Sequence, residues 1–394
     1  MKSRSLKAGW KMVKFGDVVK NINLVERDPA KAGIDRIVGL EHIDPENLHV
    51  KRWDIPENGT SFTRKFVPGQ TLFGKRRAYQ RKVAFAEFEG ICSGDILTFE
   101  SKNPKILLPE LLPFICQTDE FFNHALGTSA GSLSPRTSWS ALQNFEFPLP
   151  PLDEQKHIAE ILWAADEAVE KYATLTKEIN QYVEAVIEKN LTSTDSGSVL
   201  GDYCPSDGVR IGPFGSLLHA KDYQSQGIPV VMPADIEDGV IQKDKVARIS
   251  FQKAKELENY CLCENDILLP RRGDLAKRAI VLKPQAGWLC GTGTIRIRLK
   301  DGVNPHAVFL AVTSASANRW LNRFAVGTTM PNLNASTIKK MPLHLPDRPT
   351  TAALVDDLKK VLDVLHRVKK HYQSLVNLRQ VLVETKIMEG AAHV

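Results

Sequence analysis

The 394-residue chain is predicted to fold as two similar mixed α/β modules, each followed by one long helix. Three observations carry that expectation. From Gly127 the sequence reads Gly-Thr-Ser-Ala-Gly-Ser-Leu-Ser, and from Gly327 it reads Gly-Thr-Thr-Met-Pro-Asn-Leu-Asn. Each stretch runs into an apolar, proline-bearing segment, Phe145–Pro150 and Met341–Pro346. Each segment then enters a long stretch whose apolar residues recur at alternating four- and three-residue spacing. A repeat of this period is too long for a solenoid and fits two copies of a domain-plus-helix unit.

The elements follow in order. The first module opens at Met12–Val19 and the second at Val199–Tyr203, both containing an apolar residue followed by Gly-Asp. Val67–Arg77 aligns with Cys263–Gly273: a turn, a short apolar strand and a basic loop. Cys92–Phe99 aligns with Cys290–Ile297, a strand behind a glycine-bearing turn. A helix is predicted from Pro109 through Leu126 to a stop at Gly127. Its counterpart starts at Asn304-Pro305 and stops at Gly327, with proline inside the start and glycine past the end.

In the first long segment the apolar positions are Ile158, Leu162, Ala165, Val169, Tyr172, Ile179, Val183 and Val186, interrupted by Thr176 and Asn190. The second gives Leu354, Leu358, Val361, Leu365, Val368, Tyr372, Leu375 and Leu382, broken by Arg379. Such narrow seams pack as a coiled coil. The duplication favours pairing within one chain, antiparallel, as a rod of about 50 Å that spaces the modules by more than a turn of duplex. Leu152–Glu154 and Pro349–Thr351 are the expected starts, and Ser193–Gly197 is a polar break. The boundaries read 1–150 and 194–348 for the modules, 151–193 and 349–394 for the helices.

Composition bounds the function. Apolar content of 43% and charged content of 25% are those of a globular protein. No run reaches the roughly 20 apolar residues of a membrane span, and the basic N-terminus lacks a signal-peptide core; a cytoplasmic location is expected. Six scattered cysteines form no zinc-ligand spacing. The one close pair, Cys261 and Cys263, is expected on one strand face. The net charge is +6, distributed unevenly. Met1–Pro150 sums to +4, Leu191–Pro349 to +5, and Glu154–Asn190 to −4. Positive charge thus sits on the modules, where phosphates would meet it.

Catalytic motifs are absent. Gly69–Lys75 matches the opening of a P-loop, but Arg76 stands where the magnesium-binding Ser or Thr belongs. Gly291-Thr-Gly293 lacks a third glycine, and no nucleophile-elbow, zincin or base-methylation motif occurs. His157 and His371 fall on the long helices among charged residues, as surface histidines. The basic loops are the better candidates. Lys75, Arg76 and Arg77 with Arg81 and Lys82, and Arg271 and Arg272 with Lys277 and Arg278, occupy matching places in the two modules, and Tyr79 lies within the first cluster. Arginines in such clusters attract phosphate and can make bidentate contacts to guanine. Lys339-Lys340 is a weaker surface pair. Two other readings stay open: a coiled-coil adaptor without a nucleic-acid role, and a nucleotide-binding enzyme using Gly69–Lys75.

Gly327–Asn334 followed by Ile338–Pro346, Pro148–Gln155 running into a helix, and Arg210–Ser216 with Gly227–Val231 together resemble the specificity subunit of type I restriction-modification systems. The resemblance covers essentially the whole chain. It implies two target recognition domains on two antiparallel helices related by a pseudo-two-fold, each domain reading half of a bipartite site in double-stranded DNA. It implies docking of two methyltransferase subunits, with restriction and translocase subunits joining them. S-adenosylmethionine, ATP and magnesium would reside on those partners, with no cofactor on this chain. The acidic face carrying Glu160, Glu167, Glu170 and Glu178 would then serve partner contact. Two departures stand out. Gly131–Ser134 replaces Pro-Asn-Leu-Asn, with four extra residues before Phe145, and the second helix lacks the Pro-Leu-x-Glu-Gln entry.

Overall fold

The start of each module packs on its own end, which explains the apolar-Gly-Asp repeat. The computed structural model describes residues 6–56, 60–192, 197–237, 239–243, 246–325 and 333–388. Phe15 N–H donates to the Phe145 carbonyl (2.7 Å) and Gly16 N–H to the Gln143 carbonyl (2.8 Å); Leu200 N–H donates likewise to Met341 (2.8 Å). A Cβ added at Gly16 would lie 2.7 Å from Gln143 Cβ, and one at Gly201 would lie 3.1 Å from the Lys339 carbonyl. Glycine is what lets the backbones approach so closely at position 16, and at position 201 a side chain would require Lys339 to give by a few tenths of an ångström.

The chain divides into two compact units, Met1–Ala173 with Lys370–Val394, and Thr174–Lys369. The first holds an antiparallel sheet ordered Val19–Ile22, Ile96–Ser101, Thr71–Gly74, Val83–Phe85. The second holds its counterpart, ordered Val209–Ile211, Thr294–Ile297, Ile267–Pro270, Ala279–Ile280. The strands expected behind the Gly69 and Asn265 turns are therefore central strands, and both turn residues adopt positive φ (87° and 71°). Gly69–Lys75 enters a strand with no helix behind it, so it has no P-loop geometry.

Each unit carries a second four-stranded sheet, and there the copies diverge. In the first, Arg64–Phe66 pairs antiparallel with Gly90–Cys92, which pairs parallel with Ile37–Val38. In the second, Ala247–Ile249 pairs antiparallel with Ile228–Val231, which pairs parallel with Leu289–Cys290. One inner and one edge position are exchanged between copies: Gly90–Cys92 is inner and Ile37–Val38 an edge in the first, whereas Ile228–Val231 is inner and Leu289–Cys290 an edge in the second. The cores differ too. Phe15, Phe73, Phe99 and Phe121 stack around one another in the first unit, with ring centroids 5.0–5.9 Å apart. Ile267, Leu269, Ile295 and Leu310 form an aliphatic core in the second.

Three expectations are corrected. The single helix expected before each glycine is broken. Asp119–Gly127 is a separate helix capped by Thr118, whose side chain accepts from Phe121 N–H. Pro305–Thr313 and Ala315–Phe324 are divided at Ser314, which caps the latter through Ala317 N–H. Cys261 makes only an isolated bridge to Leu289 and Cys263 lies exposed in a turn, so they do not share a strand face. All six thiols are free.

The third correction concerns the register of the repeat. Ser138 caps Trp139–Leu142 and Asn334 caps Ala335–Lys339 in the same way. Thr137 N–H donates to the Lys75 carbonyl (3.0 Å) as Leu333 N–H does to Arg271 (2.9 Å). Ser138 thus corresponds to Asn334 and Phe145 to Met341. This carries Gly327 in sequence onto Gly131, not Gly127, and the four extra residues vanish. Residues 326–332 and 193–196, which include most of the Gly327 motif and of the polar break, lie outside the described residues.

The long helices run Leu152–Leu191 and Arg348–Met388, the second capped by Asp347 through Thr350 N–H (2.9 Å). Within the first unit Asp166 meets Arg379 and Tyr172 meets His371, an antiparallel pairing. Ile158, Leu162, Val383 and Ile387 join its core. Within the second unit Val183, Ile187, Val355 and Leu358 join that core. No helix among the described residues is long and apolar enough to cross a membrane.

Near the end of the second helix, Glu384 accepts Asp119 N–H at 2.8 Å. Burial first, then the neighbouring Asp119 and Glu120 acids, push its carboxyl up to about 7. A carboxyl raised on folding contributes stability fully present below its ordinary 4.5 and lost as pH rises through about 7. Glu384→Gln keeps the acceptor and is expected to flatten that stretch of the stability–pH curve, measured by urea unfolding at successive pH values. An unchanged slope would show that this carboxyl does not set it.

Candidate nucleic-acid interface

In the first unit the basic loop follows the strand Thr71–Gly74 and turns back through two left-handed residues, Arg77 (φ 55°) and Arg81 (φ 53°). It is docked on the segment 130–137. Arg76 and Arg136 form a backbone bridge, and Arg77 N–H donates to the Pro135 carbonyl at 2.7 Å. Ser134 Oγ accepts from Arg76 and from Arg77, each at 3.2 Å. Asp95 anchors the group, meeting Arg136 at 2.9 Å and Arg76 at 3.5 Å. Burial works against the Asp95 charge, but Arg136, Arg76 and Lys75 outweigh it and hold the carboxyl below its ordinary range. Burial, with Arg64 and Arg136 nearby, lowers the Lys75 ammonium. The result is a rigid cationic loop with Tyr79 exposed beside it.

The cluster is not uniform. Arg81 is held by Glu46 (3.0 Å), Asp119 (2.8 Å) and the Gln117 carbonyl (2.9 Å), and its guanidinium lies 4.5 Å over the Phe122 ring. Lys82 donates to the Leu40 carbonyl at 2.5 Å. These two cations hold the fold, while Lys75, Arg76, Arg77 and Tyr79 line the loop. In the second unit Arg271 donates to the Leu333 carbonyl at 3.2 Å and its guanidinium sits 5.7 Å from the exposed Phe214 ring. Arg272 is exposed and Lys277 half-buried. Arg278 corrects the sequence expectation. It is 2% exposed and donates to the Val312, Leu275 and Lys277 carbonyls and to Asn318 Oδ1. Burial lowers its guanidinium to about 10; it is a scaffold residue.

Arg136, Asp95, Ser134 and Phe214 were not among the sequence candidates. Arg136 lies between the Gly127 repeat and Phe145, where the sequence offered no candidate, and only the fold brings it to Asp95. On the first long helix, Glu160 and Glu178 are exposed and Glu167 pairs with Lys171 at 2.6 Å. Glu170 instead meets Lys51 (2.5 Å) and Asn47 (3.2 Å) of the adjoining domain, which removes it from a free acidic face. His157 and His371 are exposed. Glu41, His42 and Asp54 lie together, but His42 Nδ1 accepts Gly39 N–H at 2.9 Å, so its Nε2 carries the hydrogen facing Asp54. That tautomer has no lone pair for a metal.

A protein with two such modules, each offering a docked basic loop and each joined to a long helix, belongs to the class of two-domain recognition subunits. The family described as Type I restriction modification DNA specificity domain matches residues 8–184 and 215–375, and the chain belongs to this family. It is 28% identical over 162 residues to the type I restriction enzyme EcoDI specificity subunit of Escherichia coli, covering 38% of this chain and 35% of that protein. It is 20% identical over 410 residues to the MjaVIII specificity subunit of Methanocaldococcus jannaschii, covering 93% of this chain and 89% of that one. The fold resembles that of a type I restriction-modification S subunit from M. genitalium, with a TM-score of 0.54 and 14% identity over 98% of each chain.

Proposed function

We propose that the chain reads a bipartite, asymmetric site in double-stranded DNA, each recognition domain taking one half-site and the long helices setting the gap. The observation that supports this most is the duplication. The same strand–basic-loop–capped-helix arrangement occurs in both units, with loop residues that differ: Lys75, Arg76, Arg77 and Tyr79 in one, Arg271, Arg272 and Phe214 in the other. A shared scaffold with different loop side chains reads two different half-sites. The exposed Glu160, Glu167 and Glu178 offer contacts to two methyltransferase subunits, to which restriction and translocase subunits are joined. Chemistry and cofactors (S-adenosylmethionine, ATP and magnesium) belong to those partners in this reading. This chain performs no reaction and works in the cytoplasm.

The test is to purify the chain with its methyltransferase partners and map methylated adenines across a genome. Two fixed half-sites at one constant spacing are expected. Methylation at a single contiguous motif, or without sequence preference, overturns the reading. The gap has its own test. One heptad added to each long helix lengthens it by about 10 Å, or about three base pairs. The tolerated spacing should lengthen accordingly, and modification of the original spacing at its original rate would refute the helices as the spacer.

A further inference from the structure

The first unit ties the start of its long helix to the domain with one buried amide. Gln155, 1% exposed, donates through Nε2 to the Ile106 carbonyl (2.8 Å) and the Pro150 carbonyl (2.9 Å). Its Oε1 accepts Leu108 N–H at 2.8 Å. The register established above carries Pro150 onto Pro346, Pro109 onto Pro305 and Gln155 onto Thr351. Thr351 keeps one of the three bonds, donating to the Pro346 carbonyl at 2.9 Å. Its side chain is too short for the other two.

The counterparts of Ile106 and Leu108 are Gly302 and Asn304. Neither the Gly302 carbonyl nor the Asn304 N–H bonds any described group. Both residues line a cavity of about 660 Å³, shared with Tyr203, His306, Arg348 and Thr351. That volume lies within the roughly 300–1,000 Å³ of small-ligand sites. Tyr203 Oη already accepts Leu345 N–H at 3.2 Å, which leaves its own hydrogen to donate. Burial, with Lys359 nearby, lowers the His306 imidazole, so that ring is neutral at pH 7. The cationic side chain of the wall is Arg348, packed against Gly302, and a carboxylate drawn to it would have no hydrogen to give the Gly302 carbonyl. The wall thus offers one backbone acceptor and one backbone donor at the places where the first unit binds an amide.

We infer that the Gly302–His306 cavity binds a ligand carrying a primary carboxamide, whose C=O takes the Asn304 N–H and whose NH₂ donates to the Gly302 carbonyl. Gln155 displays that bound arrangement as an intramolecular ligand. The carboxamide comes from a free small molecule or from a glutamine or asparagine side chain of a partner protein, and the two sources are separable. The inference is independent of the DNA-reading proposal, since it concerns neither basic loop.

Full-length chain is heated alone and with L-glutamine or nicotinamide, against L-glutamate and nicotinate as acids of the same shape. A saturating amide is expected to raise the Tm of the second unit by about 2–4 °C, and the acids are not. Thr351→Gln, which supplies the amide from within, should raise the Tm by itself and abolish the ligand shift. Should that variant fail to fold, the amide-against-acid comparison on the natural chain decides alone. In the second arm, hydrogen exchange at residues 303–306 is followed with the methyltransferase partner added. Protection there without a response to free amides assigns the carboxamide to a protein side chain. Equal shifts with amides and acids, or an amide shift undiminished in Thr351→Gln, or no response in either arm, overturns the inference.

Discussion

Asp166→Ala is expected to destabilise the first unit by about 3–5 kcal/mol, a large share of the stability of a domain this size. Asp166 is 1% exposed and sits at the centre of a buried network. Arg379, on the other long helix and 5% exposed, bonds its Oδ1 and also donates to the Glu46 carbonyl. His49 Nε2 lies 2.7 Å from its Oδ2, and His49 Nδ1 lies 3.1 Å from Glu87. Removing the carboxylate strands a guanidinium in the interior, where an unpaired charge is far more costly than the pair was favourable. Converting both Asp166 and Arg379 to leucine or methionine should therefore cost much less than Asp166→Ala alone. Urea unfolding of the three proteins measures the coupling. A single-variant loss under about 1 kcal/mol would show that water reaches the pair and screens it.

The same network has a definite response to pH. The Asp166 hydrogen bond raises the His49 imidazole above its ordinary 6.5, against the effect of burial. Burial opposes the Asp166 charge, but His49 and Arg379 outweigh it and hold its carboxyl below 3.8. The histidine contribution is thus fully present below pH 6.5 and fades as pH rises through the elevated value. The Asp166 contribution is present above pH 3.8 and is lost only in stronger acid. Glu46 extends the connection to the basic loop, because it also pairs with Arg81 at 3.0 Å. The loop is thereby positioned by the helices and not by its own strand alone.

The network marks the boundary of what was legible in the chain. The long helices and the central strands announce themselves because apolar periodicity is a local property, written in neighbouring residues. Arg379 looked like a flaw in a coiled-coil seam. Its meaning depends on Asp166, 213 positions away, and no local pattern encodes that. The helix breaks at Thr118 and Ser314 were readable in principle, since each is an N-cap hydroxyl ahead of a helical turn. The glycine-rich similarity at Gly127 hid the true register. Ser138 and Asn334, capping residues just before short helices, fix it better than glycines, which recur in any loop. Arg272 and Arg278 look alike in sequence. Only the sheet separates them, because the strand Ala279–Ile280 carries the chain into the core immediately after Arg278. The exchanged strands of the second sheets left no trace in local pattern, since pairing order is set by contacts distant in sequence.

Exchange of the loop cations is expected to separate the two halves of the target. In the assembled complex, Arg76→Ala with Arg77→Ala should weaken binding about 5- to 150-fold for each lost bidentate base contact, about 1–3 kcal/mol, and relax preference at one half-site only. Arg271→Ala with Arg272→Ala should do the same at the other. Arg278→Ala should lower stability instead, because it removes the donor from four acceptors, two of them fully buried, and leaves the base specificity untouched. Arg76 and Arg77 are already oriented by Ser134 and Asp95, so they lose little freedom on binding, and their effect should appear as specificity more than as salt-dependent affinity. Methylation rates on half-site variants, measured at two salt concentrations, distinguish the cases. A loss that is equal for all sequences and grows steeply with salt would mean that these arginines only neutralise phosphates. A loss at both half-sites from either pair would mean that the two domains do not read independently, and the division of labour proposed for them would fall.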